Sequence, residues 1–408
     1  MNKNIKLAVA GAVLALSASA NAGIIIPAGE WTLDIGGNVN TFASWTKQDS
    51  KNTITGGIVN TNYTGNTVNT QHTNTTGLLP NFLSVSGSTR QNDLDVAFTI
   101  SIQPGAATRS AITSAGQENR QAFLTFGDKS WGSIKVGRDL GIFASDAILS
   151  DMTLLGVGAP TSSGTTTLGR IGTGYIYADW KSQISYTTPN WNGFQATVGL
   201  TQAFNASGNT SAGPTTSWGT TTGAGGASGA YEGKASYSFA ANDVTGKVWV
   251  SGIAQKIDAR GLAIAMDETM AYGGDIGANV NAAGFGLTGY YYGGQGLGTT
   301  GFLSNAGYVH SNNTGYLRDS DGGYVQATYV LPTKTKVGVS WGVSNLDKAK
   351  NEASTLVVKS NEMWTAGIYH PLTKHLNLVA EYSYLESEAH TGVKNDSNTG
   401  SLGAIMFF

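Results

Sequence analysis

The sequence predicts an all-β protein that crosses a membrane as one transmembrane antiparallel β-barrel of about sixteen strands, with long external loops and short periplasmic turns. Three observations predict it. Apolar and polar residues alternate in most segments that could form strands. Long loops rich in Asn, Gly and Thr alternate with short turns between these segments. Beyond residue 22, the sequence contains no run of about 18 apolar residues that could form a membrane helix.

The N-terminus has the composition of a secretory signal peptide. Lys3 and Lys6 precede an apolar run, and a small-residue cleavage site ends at Ala22. The alternative is a membrane anchor, but the run is shorter than the roughly 20 residues that a spanning helix needs. We therefore predict a signal peptide at residues 1–22 and a single barrel domain at residues 23–408.

The composition limits the classes of partner and of stabilising bond. Removing two lysines with the signal leaves 22 of the 24 basic residues against 26 acidic ones, a formal charge of −4. Nucleic acid is therefore not an expected partner. The chain has no cysteine, so disulfides cannot stabilise it, and only 12% of its residues are charged. Outer-membrane lipid is the expected surrounding, and no cofactor is expected.

The first predicted strand, residues 30–46, shows the pattern that the other strands repeat. One face would carry Trp31, Leu33, Ile35, Val39, Ala43 and Trp45. The other face would carry polar residues such as Asn38 and Asn40. At about 3.3 Å per residue and a tilt of about 45°, this length matches an apolar band of about 25 Å with an aromatic girdle at each edge. A similar pattern predicts a strand at residues 174–187, with Ile176 and Ala178 on its lipid side.

The alternation stops after a hairpin at residues 119–137. The segment that follows is rich in Leu and Ile, and it contains Asp139, Asp146 and Asp151. These acids are either pore residues or ordinary loop acids and helix caps. Because so apolar a loop needs cover, and lipid faces only the outside of a barrel, we expect it to fold into the lumen.

Four stretches, in this order, resemble the Gram-negative general porins. They are the hairpin NRQAFLTFGDKSWGSIKVGRD, the turn SYTTPNWNGF, and the similar hairpins TYVLPTKTK and YHPLTKHL. The chain also ends in Phe408, as such barrels do. The resemblance covers the whole mature chain. It implies a sixteen-stranded homotrimer whose third loop, here residues 139–167, folds into the barrel and narrows the pore. It also places Phe82 where the family has a wall arginine.

The alternation along each strand predicts which charged side chains around this expected constriction point into the lumen and which point outward. Lys135 and Lys181 should point into the lumen, and so should Glu381. Arg120 corresponds to a pore arginine of the family, although strict alternation would turn it outward, as it would Arg138. A lipid-facing arginine at mid-depth would cost about 2–4 kcal/mol, so we keep Arg120 in the set. The predicted constriction residues are Asp139, Asp146, Asp151, Arg120, Lys135 and Lys181.

The predicted function is passive diffusion of small hydrophilic solutes and ions through this lumen, with no enzymatic activity. The alternatives are a β-barrel enzyme of the outer membrane and a secreted β-solenoid adhesin. Ser340 lies in a G-x-S-x-G string, but a nucleophile elbow needs a strand-turn-helix, whereas Ser340 falls in mid-strand. Asp319 and Asp321 form part of a calcium-loop pattern that is incomplete, and the five histidines have no metal spacing.

Overall fold

The computed structural model describes residues 23–50, 52–59, 69–107, 115–162, 166–210, 213–218, 229–257, 265–267 and 270–408. The predicted signal peptide at residues 1–22 lies outside the described residues. No helix in the described part of the chain is both long and apolar enough to cross a membrane.

Sixteen long strands form the wall of a closed antiparallel barrel, as the sequence predicts. Each pairs with the next along the chain, and the first pairs with the last, which closes the sheet. Two short strands, Ile24–Ala28 and Thr70–Thr75, also pair with the first. The wall strands are β1 (Trp31–Asp49), β2 (Phe82–Gln91), β3 (Leu94–Pro104), β4 (Gln117–Asp128), β5 (Gly132–Leu140), β6 (Trp180–Thr187), β7 (Phe194–Thr201), β8 (Ala230–Ala241), β9 (Val244–Lys256), β10 (Met270–Ala282), β11 (Phe285–Gln295), β12 (Asp319–Val330), β13 (Lys336–Leu346), β14 (Val358–Pro371), β15 (Leu376–Ala389) and β16 (Lys394–Phe407).

Side chains alternate between the two faces of the wall. In β13, Val339 is 55% exposed and its neighbour Ser340 only 2%. Inward hydroxyls bond across strands, as between Ser44 and Ser401 at 2.9 Å. The alternation follows from the period of two in a strand, with lipid on one face and polar partners on the other.

Aromatic rings mark both edges of the barrel's apolar band. Near the short turns, the ring centroids of Phe285 and Tyr329 are 4.4 Å apart. Towards the long loops, those of Trp341 and Trp364 are 6.1 Å apart. Such girdles are typical of membrane interfaces, where a ring meets lipid on one side and water on the other.

The segment before β6 corrects one prediction. The alternation at residues 174–187 suggested one lipid-facing strand, but the strand begins only at Trp180. Asp179 has a positive φ of 58°, which interrupts the extended backbone. Ile176 and Ala178 are buried, and Ile176 belongs to a core cluster that other loops share. Their parity matched a strand, but their apolar surface packs on loop residues instead of lipid.

The external loops pack on one another and on the inside of the wall. Five short strands form a second sheet: Ala206–Thr210, Gly213–Trp218, Ala265–Met266, Gly307–Val309 and Thr314–Leu317. The guanidinium of Arg318 donates to both carboxylate oxygens of Glu352, at 2.8 and 2.5 Å, and both side chains are buried. This ion pair joins the loop before β12 to the loop after β13.

Candidate functional site

The third loop, defined here as residues 141–158 after β5, contains the helix α1 (Ser145–Ser150) and a short 3-10 helix, Met152–Leu155. Its first end is attached to β8. The carboxylate of Glu232 accepts hydrogen bonds from the backbone N–H of Ile142 and of Phe143, both at 2.8 Å. It also accepts from the Lys181 ammonium at 2.6 Å and from the Thr201 hydroxyl at 2.8 Å. One buried carboxylate thus joins the loop to three strands.

The other end of the loop is attached to β15 in the same way. Glu381 accepts from the backbone N–H of Val157 at 2.7 Å and of Gly158 at 2.9 Å, and from the Tyr369 hydroxyl at 2.6 Å. A Cβ atom at Gly156 would lie 2.0 Å from a carboxylate oxygen of Glu381, so any larger residue there would displace this carboxylate from its partners. Glu381 is buried on the inner face of the wall, as its parity predicts.

The middle of the loop contacts strands between these two. The Tyr324 hydroxyl of β12 donates to the carbonyl of Ala147 at 2.8 Å, and the side chain of Gln326 accepts from the Met152 N–H at 2.7 Å. Asp146 forms ion pairs with Lys234, at 3.2 Å, and with Lys247. Burial alone would raise the pKa of the Asp146 carboxyl, but the two ammonium groups outweigh it and lower that pKa below its ordinary value.

This depressed pKa sets the pH at which the contact fails. A carboxyl whose folded pKa lies below its unfolded value stabilises the fold above the unfolded value, and this contribution is lost as the pH falls through the folded pKa. We therefore expect the wild type to give steadier single-channel currents than the variant Asp146→Asn from neutral pH to about 4, and this difference to disappear in more acid solution. A difference that already disappears near neutral pH would contradict this assignment.

The sequence predicted Asp139 in the third loop, but the structure places it in strand β5. It pairs in register with Lys181 of β6, accepts from the Gln121 side chain at 3.0 Å and forms an ion pair with Lys135. The strand continues past Arg138 because Asp139 and Leu140 still pair with Lys181 and Trp180 of β6. Arg138 itself is exposed, as its parity predicts.

Arg120 is buried because the alternation predicted for β4 breaks beside it. Ser101 pairs with Gln121 and Gln103 pairs with Glu118, so β4 has one residue more than β3 in this interval. Such a β-bulge shifts the side-chain alternation by one position. Arg120 and Gln121 are consequently both buried, and the Arg120 guanidinium donates to Glu118 at 2.9 Å.

Asp151 is a cap, the alternative that the sequence left open. Its carboxylate accepts from the N–H of Thr153 at 2.9 Å, at the start of the 3-10 helix, and from the Tyr175 hydroxyl at 2.9 Å. Sequence reasoning missed the nearby Arg170, which is fully buried and donates to the carbonyl of Met363 at 3.0 Å.

Sequence reasoning also missed the residues that attach the loop. Glu232, Lys234 and Lys247 are not among the predicted constriction residues. Parity could place Glu232, Lys234 and Lys247 on the inner face. Their partners lie about 90 to 100 positions away along the chain, so local pattern could not pair them.

The discounted motifs show no catalytic geometry. Ser340 lies in mid-strand on the inner face, and its hydroxyl has no hydrogen-bond partner within the described residues. The described part of the chain contains no group of three or more His, Cys, Asp or Glu that could hold a metal ion. Asp319 and Asp321 accept from Gln295 and Asn345, at 3.2 and 3.4 Å.

Comparison with known proteins identifies the family. The family model for Gram-negative porins matches residues 7–390. The chain belongs to the Gram-negative porins. As a porin it is an outer-membrane channel for passive diffusion, and its family and fold are those of a channel rather than of an enzyme. No curated protein sequence matches this porin significantly.

Several solved structures share the fold of this porin at low sequence identity. The outer membrane channel DcaP of Acinetobacter baumannii is 16% identical, covering 94% of this chain and 99% of that chain, with a TM-score of 0.67. OmpF of Salmonella typhi, in complex with daunomycin, is 14% identical, covering 94% of this chain and 100% of that chain, with a TM-score of 0.57. In-vitro folded OmpT of Vibrio cholerae is 12% identical, covering 94% of this chain and 99% of that chain, with a TM-score of 0.56.

Proposed function

We propose that this porin passes small hydrophilic solutes and ions through a lumen that the third loop narrows. The main support is the pair of glutamates, Glu232 on β8 and Glu381 on β15, whose carboxylates accept hydrogen bonds from backbone N–H groups at the two ends of the loop. Both belong to the buried, inward set of the wall alternation. A loop attached at these two points runs along the inside of the wall and leaves less room for solutes.

We further propose that the charges around the loop set the electrostatic potential of the passage. Asp146 and Asp151 lie in the loop, whereas Asp139 and the cations Arg120, Lys135 and Lys181 lie on the neighbouring strands β4, β5 and β6. Fields between fixed charges reach further where the surroundings have a low dielectric constant, so buried charges still act on a passing ion. Five of the six are buried, and Lys135 keeps the largest exposed fraction.

The proposed assembly is a homotrimer. A structure of Vibrio cholerae OmpT, 12% identical with a TM-score of 0.54, is described as a trimer form. Here the outward faces of the strands carry many exposed apolar side chains, including Val325, Val339 and Ile368. Such a belt can be covered by lipid, by other subunits, or by both.

Planar-bilayer recording of detergent-extracted protein, sized first by native mass spectrometry, tests the proposal. We expect a mass of three chains and stepwise conductance. The variant Asp139→Asn/Asp146→Asn/Asp151→Asn should have a reversal potential shifted towards anion preference, because three negative charges are removed from the passage. A folded trimer without conductance would contradict the channel, and an unchanged reversal potential would remove these acids from it.

A further inference from the structure

The face that the third loop leaves uncovered is apolar. Of residues 141–157, only Leu149, Ser150 and Leu155 keep part of their surface exposed. The acids point elsewhere: Asp146 is 5% exposed against Lys234 and Lys247, and Asp151 is 4% exposed against Tyr175. Water that reaches the loop therefore meets two leucines and one serine.

The hydrogen bonds and ion pairs of this loop described above run to β8, β9, β12 and β15. We place the water path on the other side of the loop, along the wall of β2 to β5, where the segment before β2 meets only the end of the loop as defined here: the Leu78 N–H donates to the Gly156 carbonyl at 2.9 Å. The inward, half-buried side chains there include Phe82, Ser84, Ser86, Thr99, Phe123 and Lys135. Lys135 is the one charged residue among these half-buried side chains; it forms an ion pair with Asp139, and its ammonium lies 4.8 Å from the ring centre of Phe123. Nearer the short turns, the exposed Arg90 and Asp95 pair with each other at 2.9 Å. The charges of this wall are therefore paired, and two aromatic rings lie among its polar side chains.

We propose that the specificity-determining part of the channel is an apolar collar formed by Leu149 and Leu155 of the third loop opposite Phe82 and Phe123 of the wall. This deepens the proposed function and depends on it. An apolar constriction disfavours small hydrated ions, because they must lose water without gaining a polar partner. A solute with both an apolar and a polar side can place its apolar side on the collar and keep its polar side in water. The preferred solutes are therefore small amphipathic molecules, and zwitterions with an apolar side chain are suitable probes.

The chain contains no cysteine, so single cysteines can report on the collar directly. In bilayers we expect Leu149→Cys and Leu155→Cys to lose at least half of their current when a cationic methanethiosulfonate reagent is added. The matched control is Leu154→Cys, because Leu154 is the neighbour of Leu155 and only 5% exposed. Unchanged currents in both collar variants, with conducting wild-type protein, would overturn the collar alone. Absence of conductance in the wild type would instead overturn the proposed function.

Solute selection gives a second, independent measurement. In liposome swelling, the rate for phenylalanine relative to glutamine should fall several-fold in the variant Leu149→Asn/Leu155→Asn. The control is Leu372→Asn, a leucine that is 54% exposed in the turn between β14 and β15. An unchanged ratio in a folded, conducting double variant would overturn the inference about amphipathic solutes.

Discussion

Replacing Glu381 with alanine is expected to convert steady single-channel currents into rapidly fluctuating ones. The change leaves the N–H groups of Val157 and Gly158 and the Tyr369 hydroxyl without their buried acceptor. Each unsatisfied donor costs about 1–3 kcal/mol. Since 1.4 kcal/mol is a factor of ten in an equilibrium constant, the detached state of the loop should become at least ten times more populated.

Two variants separate this effect from a general loss of stability. Glu381→Gln keeps one acceptor oxygen and should fluctuate less than Glu381→Ala. Glu386→Ala removes an outward glutamate of the same strand, whose partner is Lys394 at 2.6 Å. This variant should give single-channel currents as steady as those of the wild type. Steady currents in Glu381→Ala, measured on trimers of normal mass, would show that this carboxylate does not hold the loop.

The largest stability effect is expected for Lys181→Met. Lys181 is 0% exposed and its partner Glu232 is also buried, with 2.6 Å between nitrogen and oxygen. Removing one partner of a buried ion pair leaves an uncompensated charge and costs about 3–5 kcal/mol. We expect this loss in the free energy of unfolding, measured by urea titration of the protein in detergent micelles.

The double variant Lys181→Met/Glu232→Gln decides whether the loss comes from the unpaired charge. Glutamine is neutral, and its oxygen can still accept from Ile142 and Phe143, so most of the stability should return. Lys129→Met, in the exposed turn between β4 and β5, is the matched control and should be within about 0.5 kcal/mol of the wild type. A double variant no more stable than Lys181→Met would contradict the explanation.

The predictions that the structure confirms depend on local pattern. The alternation of Val339 and Ser340 is visible in any short window, because a strand turns successive side chains to opposite faces. The placement of Glu381 on the inner face was predicted in the same way. Parity failed at two positions: the bulge that buries Arg120 and the buried segment around Ile176. In both, pairing or packing with a distant segment determined where the side chain points.

The sequence by itself determined that this chain would form a membrane barrel, because lipid on one face and a polar interior on the other require an alternation that each strand carries within itself. Only the tertiary structure decided which residues hold the third loop and which of its residues stay exposed. Glu232 and Ile142 are 90 residues apart. They meet because the closed barrel brings β8 beside the loop, and no local pattern encodes that approach.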